Sequence, residues 1–260
     1  MLQKEGPVTA VKHYEKLAEI GDLENIFGYA WAKQENREFD LALELSSLIL
    51  DNTTSEHLEA KVFFLQATIE QKTGSPQKAI RHYKESEKRY LEINNPKGRY
   101  LCYLKIAFNQ IALGESDLAL QTLEHARAMQ SHISNPGQYK QIKSIAFRNL
   151  EKWNESIPLA IEALAHYREQ AAPRKAIDCM YEIAFQHALA HQTANARHFL
   201  NKANTLDTRK EHRFSKLLTE LAICLAESNA CNNFKDSLTP LLDTESRRTS
   251  FRLLIKRYKE

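Results

Sequence analysis

A short segment that recurs along this chain constrains its fold more than any other feature. Residues 74–80 read GSPQKAI, and residues 114–120 read GESDLAL. Each copy has a glycine, a short polar turn and an alanine that opens an apolar helical face, and each follows another helix-forming segment. A helix–turn–helix unit that recurs in this way predicts hairpins stacked on their neighbours.

The recurrence has a nearly constant interval. We align the units on the small residue that opens the second helix of each. From Ala42 onward the steps between these residues are 37, 40, 37, 40 and 38, and the first step is 32. A period of roughly 34 to 40 residues with two helices is typical of a helical solenoid. The aligned positions are Ala10, Ala42, Ala79, Ala119, Ser156, Ala196 and Phe234.

Composition agrees with helices and argues against several classes of protein. Good helix formers are abundant, whereas Gly and Pro each occur only seven times. The net charge of +3 is small for a nucleic-acid-binding domain, which usually has a larger and more clustered basic excess. No apolar segment approaches the roughly 20 residues that span a bilayer, and residues 1–8 lack the apolar core of a signal peptide. We therefore predict no membrane contact.

The four cysteines are predicted to be free thiols, most of them buried. Cys102, Cys179, Cys224 and Cys231 do not have the spacing of a metal site, and three of them lie inside helical apolar patterns. Small, buried, unpaired cysteines are common in proteins of reducing compartments. We therefore predict a cytoplasmic location.

The remaining candidates for chemistry are weak. His187 and His191 are four residues apart, but His191 falls in a predicted turn and no glutamate accompanies the pair as in a metalloprotease helix. The glycines are single and widely spaced, so they form no phosphate-binding loop. We predict no enzyme, no metal and no cofactor.

The repeat resembles the tetratricopeptide repeat family. In that family a small residue lies midway along the first helix and a glycine lies near the turn. An alanine, a large residue and a second small residue then follow on the second helix. Two units match: Ala67, Gly74, Ala79, Tyr83 and Ser86, and Ala107, Gly114, Ala119, Leu123 and Ala126. A third matches through Ala184, Ala196, Leu200 and Ala203, with His191 replacing the turn glycine, and the unit around Ser144 and Ser156 is less regular, with Trp153 in its turn.

The resemblance implies an all-α, right-handed superhelical solenoid of six or seven hairpins, formed as a single domain from residues 1–260. The repeats are longer than the basic unit and are similar to those of bacterial signalling and regulatory proteins. The first hairpin would begin at its second helix, Val8–Ile20. Residues 244–260 would form a terminal capping helix with Phe251, Leu254, Ile255 and Tyr258 on its apolar face.

The resemblance also implies a partner-binding groove, which the first helices of the hairpins line on their concave side. An aromatic groove with a few polar side chains suits a peptide or a helix of a partner protein. Phe27, Trp31 and Phe64 would be its anchors, and Lys61 and Arg148 would fix orientation. The alternative is that some of these rings, such as Phe108 and Phe185, pack between repeats. The complete predicted groove comprises Phe27, Trp31, Lys61, Phe64, Gln71, Leu104, Phe108, Gln141, Arg148, Tyr181 and Phe185.

We therefore predict a non-catalytic scaffold for protein–protein interaction, and two other functions stay open. The chain would be a regulatory module of a larger bacterial signalling protein if a receiver or DNA-binding domain lies elsewhere in the polypeptide. It would be a nucleic-acid-binding repeat if its binding weakened steeply with salt, which the low net charge argues against. The uncovered N-terminal face could instead pair two copies in a homodimer.

Overall fold

The structure is a computed structural model that describes residues 22–129, 136–208, 212–227, 231, 237–242 and 245–258. In these residues the regular structure is helical throughout, with twelve α-helices, one 3₁₀ turn at Thr239–Leu241 and no strand. The helices are α1 Leu23–Glu35, α2 Phe39–Asn52, α3 Glu56–Lys72, α4 Pro76–Glu92, α5 Pro96–Ala112, α6 Ser116–Arg127, α7 Gly137–Asn149, α8 Trp153–Glu169, α9 Pro173–Leu189, α10 Thr193–Leu206, α11 Arg213–Ala226 and α12 Glu245–Arg257.

The predicted all-α repeat architecture is confirmed. Helices α1 to α10 form five consecutive hairpins, and α11 follows as the first helix of a sixth unit. The predicted half-repeat at Val8–Ile20 and the aligned position Phe234 lie outside the described residues. None of the described helices is long and apolar enough to cross a membrane.

Each hairpin turns on one residue with a left-handed backbone. These residues are Arg37, Gly74, Gly114, Glu151 and His191, with φ of 64°, 81°, 84°, 58° and 57°. They lie 37, 40, 37 and 40 residues apart, which is the predicted period. The prediction that His191 stands where other repeats have glycine is therefore confirmed. In the fourth hairpin the turn residue is Glu151, and Trp153 instead begins α8.

Small residues lie where the two helices of a hairpin pack together. The aligned alanines and serines of both helices have no exposed surface: Ala30 and Ala42, Ala67 and Ala79, Ala107 and Ala119, Ser144 and Ser156, and Ala184 and Ala196. In the fourth hairpin the Ser156 hydroxyl donates to the Ser144 carbonyl oxygen at 2.9 Å. The predicted small positions are confirmed, since only a small side chain leaves room for this close packing.

The chain divides into two compact units, residues up to Ile106 and residues from Ala107 onward. In the first unit, α1, α2 and α3 share a core that includes Ile26, Leu45 and Leu65. In the second, a larger core runs from α8 to α12 and includes Ile183 and Leu254. The prediction of a single domain stays a prediction.

The prediction of four free thiols is wrong for one pair. Cys224, near the end of α11, forms a disulfide with Cys231, and their Cα atoms are 6.0 Å apart. The two cysteines are seven residues apart in sequence, and their Cα distance is within the usual range for a disulfide. Cys102 and Cys179 are free and buried, and burial raises the pKa of the Cys102 thiol to about 12. Sequence spacing did not reveal the bond.

Candidate functional site

Two aromatic side chains of α1 lie together on the first unit. Phe27 and Trp31 are one helical turn apart, and their ring centroids are 6.1 Å apart. Both are partly buried against the core of α1–α3. The Lys61 ammonium of α3 lies 4.5 Å from the Phe27 ring centroid and pairs with Glu24 at 2.5 Å. We call Phe27, Trp31 and Lys61 the aromatic surface.

The two helices that carry this surface are joined by charges near both ends. Lys61 pairs with Glu24, and Lys72 pairs with Glu35 at 3.3 Å. Each pair is 37 residues apart in sequence, so the repeat itself sets the contact. Such partly exposed pairs contribute little stability individually. They do fix the positions of the side chains around the aromatic pair.

Three of the predicted groove residues in the first unit are buried or contact side chains of that unit. The Phe64 ring meets the Tyr83 ring edge-on at a centroid distance of 5.1 Å. The Tyr83 hydroxyl donates to Gln71 Oε1 at 3.3 Å, and burial raises the pKa of the Tyr83 phenol. Leu104 is 1% exposed. Their predicted role in binding stays a prediction, but these contacts lie inside the unit.

In the second unit, two predicted groove residues bond to the second helix of their own hairpin. Gln141 Oε1 accepts a hydrogen bond from the Tyr167 hydroxyl of α8 at 2.8 Å. The buried Tyr181 donates its hydroxyl to Asn204 Oδ1 of α10 at 2.9 Å. Phe108 is partly buried. These contacts stabilise the hairpins, and whether a partner also uses them stays a prediction.

Arg148 of α7 is almost completely buried, at 3% exposed. Its guanidinium donates to both carboxylate oxygens of Glu182 in α9, each at 2.9 Å. It also lies 5.3 Å from the Phe185 ring centroid, and Phe185 is itself 2% exposed. The structure thus brings together two predicted groove residues, with a carboxylate that sequence reasoning missed.

The polar contacts of Glu182 continue into the hairpin interior. Gln186, which has no exposed surface, donates its amide to Glu182 Oε1 at 2.9 Å and to Ser144 Oγ at 2.8 Å. Its oxygen lies 2.7 Å from the Ser156 hydroxyl oxygen, so it shares the Ser156 proton with the Ser144 carbonyl oxygen. The signal for this network was the position of Glu182 between the apolar residues Tyr181 and Ile183 of α9, because a buried carboxylate requires a partner.

The C-terminal helix packs on the first helices of three hairpins. Thr249 donates its hydroxyl to the Ala112 carbonyl oxygen at the end of α5 (2.5 Å). Arg148 of α7 donates to Ser250 Oγ at 3.5 Å. Tyr258 donates its hydroxyl to the Ala188 carbonyl oxygen in the last turn of α9 (3.1 Å). Helix α12 was predicted from its apolar face, but sequence reasoning did not predict this position.

The two histidines considered as a metal pair contact different neighbours. In the part of the chain that the structure describes, no group of three or more His, Cys, Asp or Glu side chains could hold a metal ion. His187 is 6% exposed and shares a hydrogen bond with Gln192 Oε1 at 2.7 Å, and burial lowers the pKa of its imidazole. The His191 ring instead meets the Tyr258 ring edge-on at 5.6 Å.

Comparison with known proteins gives the fold. No protein-family model and no curated protein matches the sequence. Among solved structures, a Rap protein complexed with Competence and Sporulation Factor superposes with a TM-score of 0.72 at 14% identity, over 90% of this chain and 68% of that one. Aspartyl phosphate phosphatase F from Bacillus subtilis gives 0.70 at 14% identity, over 89% of this chain and 62% of that one.

A third similar structure consists of tetratricopeptide-like repeats. It is the nearly identical tetratricopeptide-like repeats of a kinesin light chain from Podosopora anserina. It superposes with a TM-score of 0.55 at 16% identity, over 74% of this chain and 97% of that one. Identities this low show the fold alone. The chain therefore has a tetratricopeptide-like helical repeat fold, and it spans about two thirds of the length of the first two structures.

Proposed function

We propose that this protein is a non-catalytic scaffold that binds a helix or an extended peptide of a partner protein on its aromatic surface. The observation that carries the proposal is the side-by-side pair Phe27 and Trp31, with the Lys61 ammonium against the Phe27 ring. Aromatic side chains at a rigid surface, with charged groups at their edge, are typical of residues that dominate binding energy.

The geometry favours Trp31 and Phe27 over the other predicted anchors. All three anchor rings are partly buried, but the Phe64 ring already meets the Tyr83 ring of its own hairpin edge-on. The groove residue Leu104 is buried. A partner would gain apolar burial on the two rings, and an acidic group of the partner could compete with Glu24 for Lys61. The proposal thus keeps Phe27, Trp31 and Lys61 from the predicted groove, and Arg148 is assigned instead to the interior of the second unit.

Solved structures with the same fold support a binding role without identifying a partner. One of them was determined in complex with a second molecule, and one carries the name of a phosphatase. A regulatory module of a larger bacterial signalling protein remains our second candidate, because this chain covers 62% of the length of that phosphatase.

A cytoplasmic location is part of the proposal. The Cys224–Cys231 disulfide is an argument against it, since disulfides are rare in reducing compartments.

The test is capture of partners from a lysate of the source cells by three forms of the chain: wild type, Trp31→Ala and Leu91→Ala. Leu91 is 52% exposed on α4 of the same unit, so its truncation is the matched control. Proteins retained by the wild type and by Leu91→Ala, but not by Trp31→Ala, are identified by mass spectrometry. Their affinities for the three forms are then measured by calorimetry.

We expect Trp31→Ala to weaken binding of the captured protein by roughly 30-fold, the effect of losing about 2 kcal/mol at a central aromatic contact. Leu91→Ala should bind like the wild type. Equal affinities for all three forms, with Trp31→Ala still folded by circular dichroism, would show that the partner uses another surface.

A further inference from the structure

The C-terminal helix contacts equivalent places on successive hairpins. Ala112, Arg148 and Ala188 lie at or near the last turns of α5, α7 and α9, and all three contact α12. In the turn after α7, Glu151 pairs with Arg257 at 2.9 Å. We call Ala112, Arg148, Glu151 and Ala188 the α12 site.

The contacts of the α12 site use groups that every hairpin can offer. Carbonyl oxygens in the last turn of a helix have no partner further along that helix, and Thr249 and Tyr258 each donate to one of them. Helix α12 adds one apolar side chain without exposed surface, Leu254, and partly buried neighbours such as Phe251. The outward positions Arg248, Arg252 and Lys256 are exposed. The site therefore recognises a helix with hydroxyl groups, an apolar stripe and a basic C-terminal turn.

We propose that the α12 site is a binding site for an amphipathic partner helix of this pattern, and that α12 fills it in the free protein as an internal competitor. This goes beyond the proposed function, because the site and the aromatic surface are made by different residues of different units. Binding of a helix in the same contacts would require α12 to leave.

The contacts indicate that α12 can be displaced while the hairpins stay folded. An isolated helix of 13 residues is marginal in water, so α12 depends on its site. Leu254 is the buried residue that α12 contributes to the core it shares with α8 to α11, whereas those helices contribute many, including Met180, Ile183 and Leu221. We therefore expect the hairpins to depend on α12 less than α12 depends on them. A partner helix with the same face can therefore exchange with α12.

The test uses the 260-residue chain and a fluorescent peptide with the sequence of residues 245–258 as the probe. Leu254→Asp places a charge in the buried position and should release α12. The peptide can bind only molecules whose site is empty, so its apparent affinity rises as the empty fraction rises. We therefore expect this variant to bind the peptide more tightly than the wild type does, by a factor on the order of ten or greater. Thr249→Val with Tyr258→Phe removes the two bonds to main-chain carbonyls, keeps Leu254, and should act in the same direction.

A charge reversal tests the position of the peptide. In the Leu254→Asp background, Glu151→Lys should weaken the peptide roughly two- to fivefold, as for an exposed ion pair. A peptide with the R257E substitution should recover the loss. Trp31→Ala should leave peptide binding unchanged. A negative result with the peptide would therefore count against the α12 site and not against the proposed function of the aromatic surface.

Three outcomes would overturn the inference. The first is a peptide that binds none of the variants, although thermal melting shows them folded. The second is a wild type that binds the peptide as tightly as both released forms. The third is a released variant that only forms dimers in sedimentation and takes up no peptide, since the site would then serve a second copy of the chain.

Discussion

At the scale of the residue, the buried pair of Arg148 and Glu182 shows how one contact links several elements. Their side chains are 4% and 15% exposed, and both groups are held by further hydrogen bonds to Asn149, Gln186 and Ser250. A buried ion pair is costly to form because two charges lose water, but removal of one partner leaves the other charge unpaired. The pair therefore specifies how α7, α9 and α12 meet.

We predict that Glu182→Leu lowers the free energy of unfolding by about 3 to 5 kcal/mol, because Arg148 is left buried and unpaired. The double change Arg148→Met with Glu182→Leu should recover most of this loss. Urea unfolding followed by circular dichroism measures both. Glu227→Gln, which breaks the exposed pair with Arg197, is the control and should cost less than about 1 kcal/mol. A double variant no more stable than Glu182→Leu would contradict this account.

At the scale of the element, the hairpin turns show how one backbone geometry is met by different residues. Two of the five turns use glycine, which adopts positive φ without a steric cost. The other three use Arg37, Glu151 and His191, and a residue with a Cβ is strained there. The repeat thus keeps the shape of its turn while its sequence varies.

We predict opposite effects for two turn substitutions. Arg37→Gly should stabilise the chain by about 0.5 to 1 kcal/mol, because it relieves the left-handed backbone of an exposed residue. Gly114→Ala should destabilise it by about 1 kcal/mol. A Cβ at Gly114 would meet no atom within 4 Å, so the cost comes from the backbone alone. Thermal melting of both variants checks the signs, and a stabilising Gly114→Ala would refute the explanation.

At the scale of the whole molecule, the balance of charge decides which large partners are suitable. The 36 Lys and Arg residues are nearly matched by 33 Asp and Glu residues. Several of the basic groups are paired, as in Lys61 with Glu24 and Lys72 with Glu35. Nucleic acids bind proteins chiefly through many unmatched basic groups that replace counterions. We therefore expect a protein partner rather than a nucleic acid.

We predict that the 260-residue chain does not retard a short DNA duplex or an RNA hairpin at about 1 µM protein in physiological salt. Electrophoretic mobility measures this directly, and a protein with a known basic patch serves as the positive control. Micromolar or tighter binding that weakens steeply with salt would revive the nucleic-acid alternative.

The sequence by itself determined the repeat. The period, the small residues between paired helices and the place of His191 all follow from short-range rules, since turn geometry and close helix packing each restrict a few nearby residues. The same reasoning also placed a helix near the C-terminus from the spacing of Phe251, Leu254 and Tyr258.

Only the tertiary structure decided which side of each helix faces the core, a neighbouring repeat or the exposed surface. Helical spacing gives one signal for a ring that meets a partner and for a ring that packs on the next repeat. It therefore left open whether Phe108 and Phe185 face a partner or pack between repeats, and the structure shows that Phe185 is buried. The position of α12 on Ala112 and Ala188, the pairing of Arg148 with Glu182 and the Cys224–Cys231 bond depend on where folding brings the chain. Such contacts are set by the summed packing of many residues, and no local pattern encodes them.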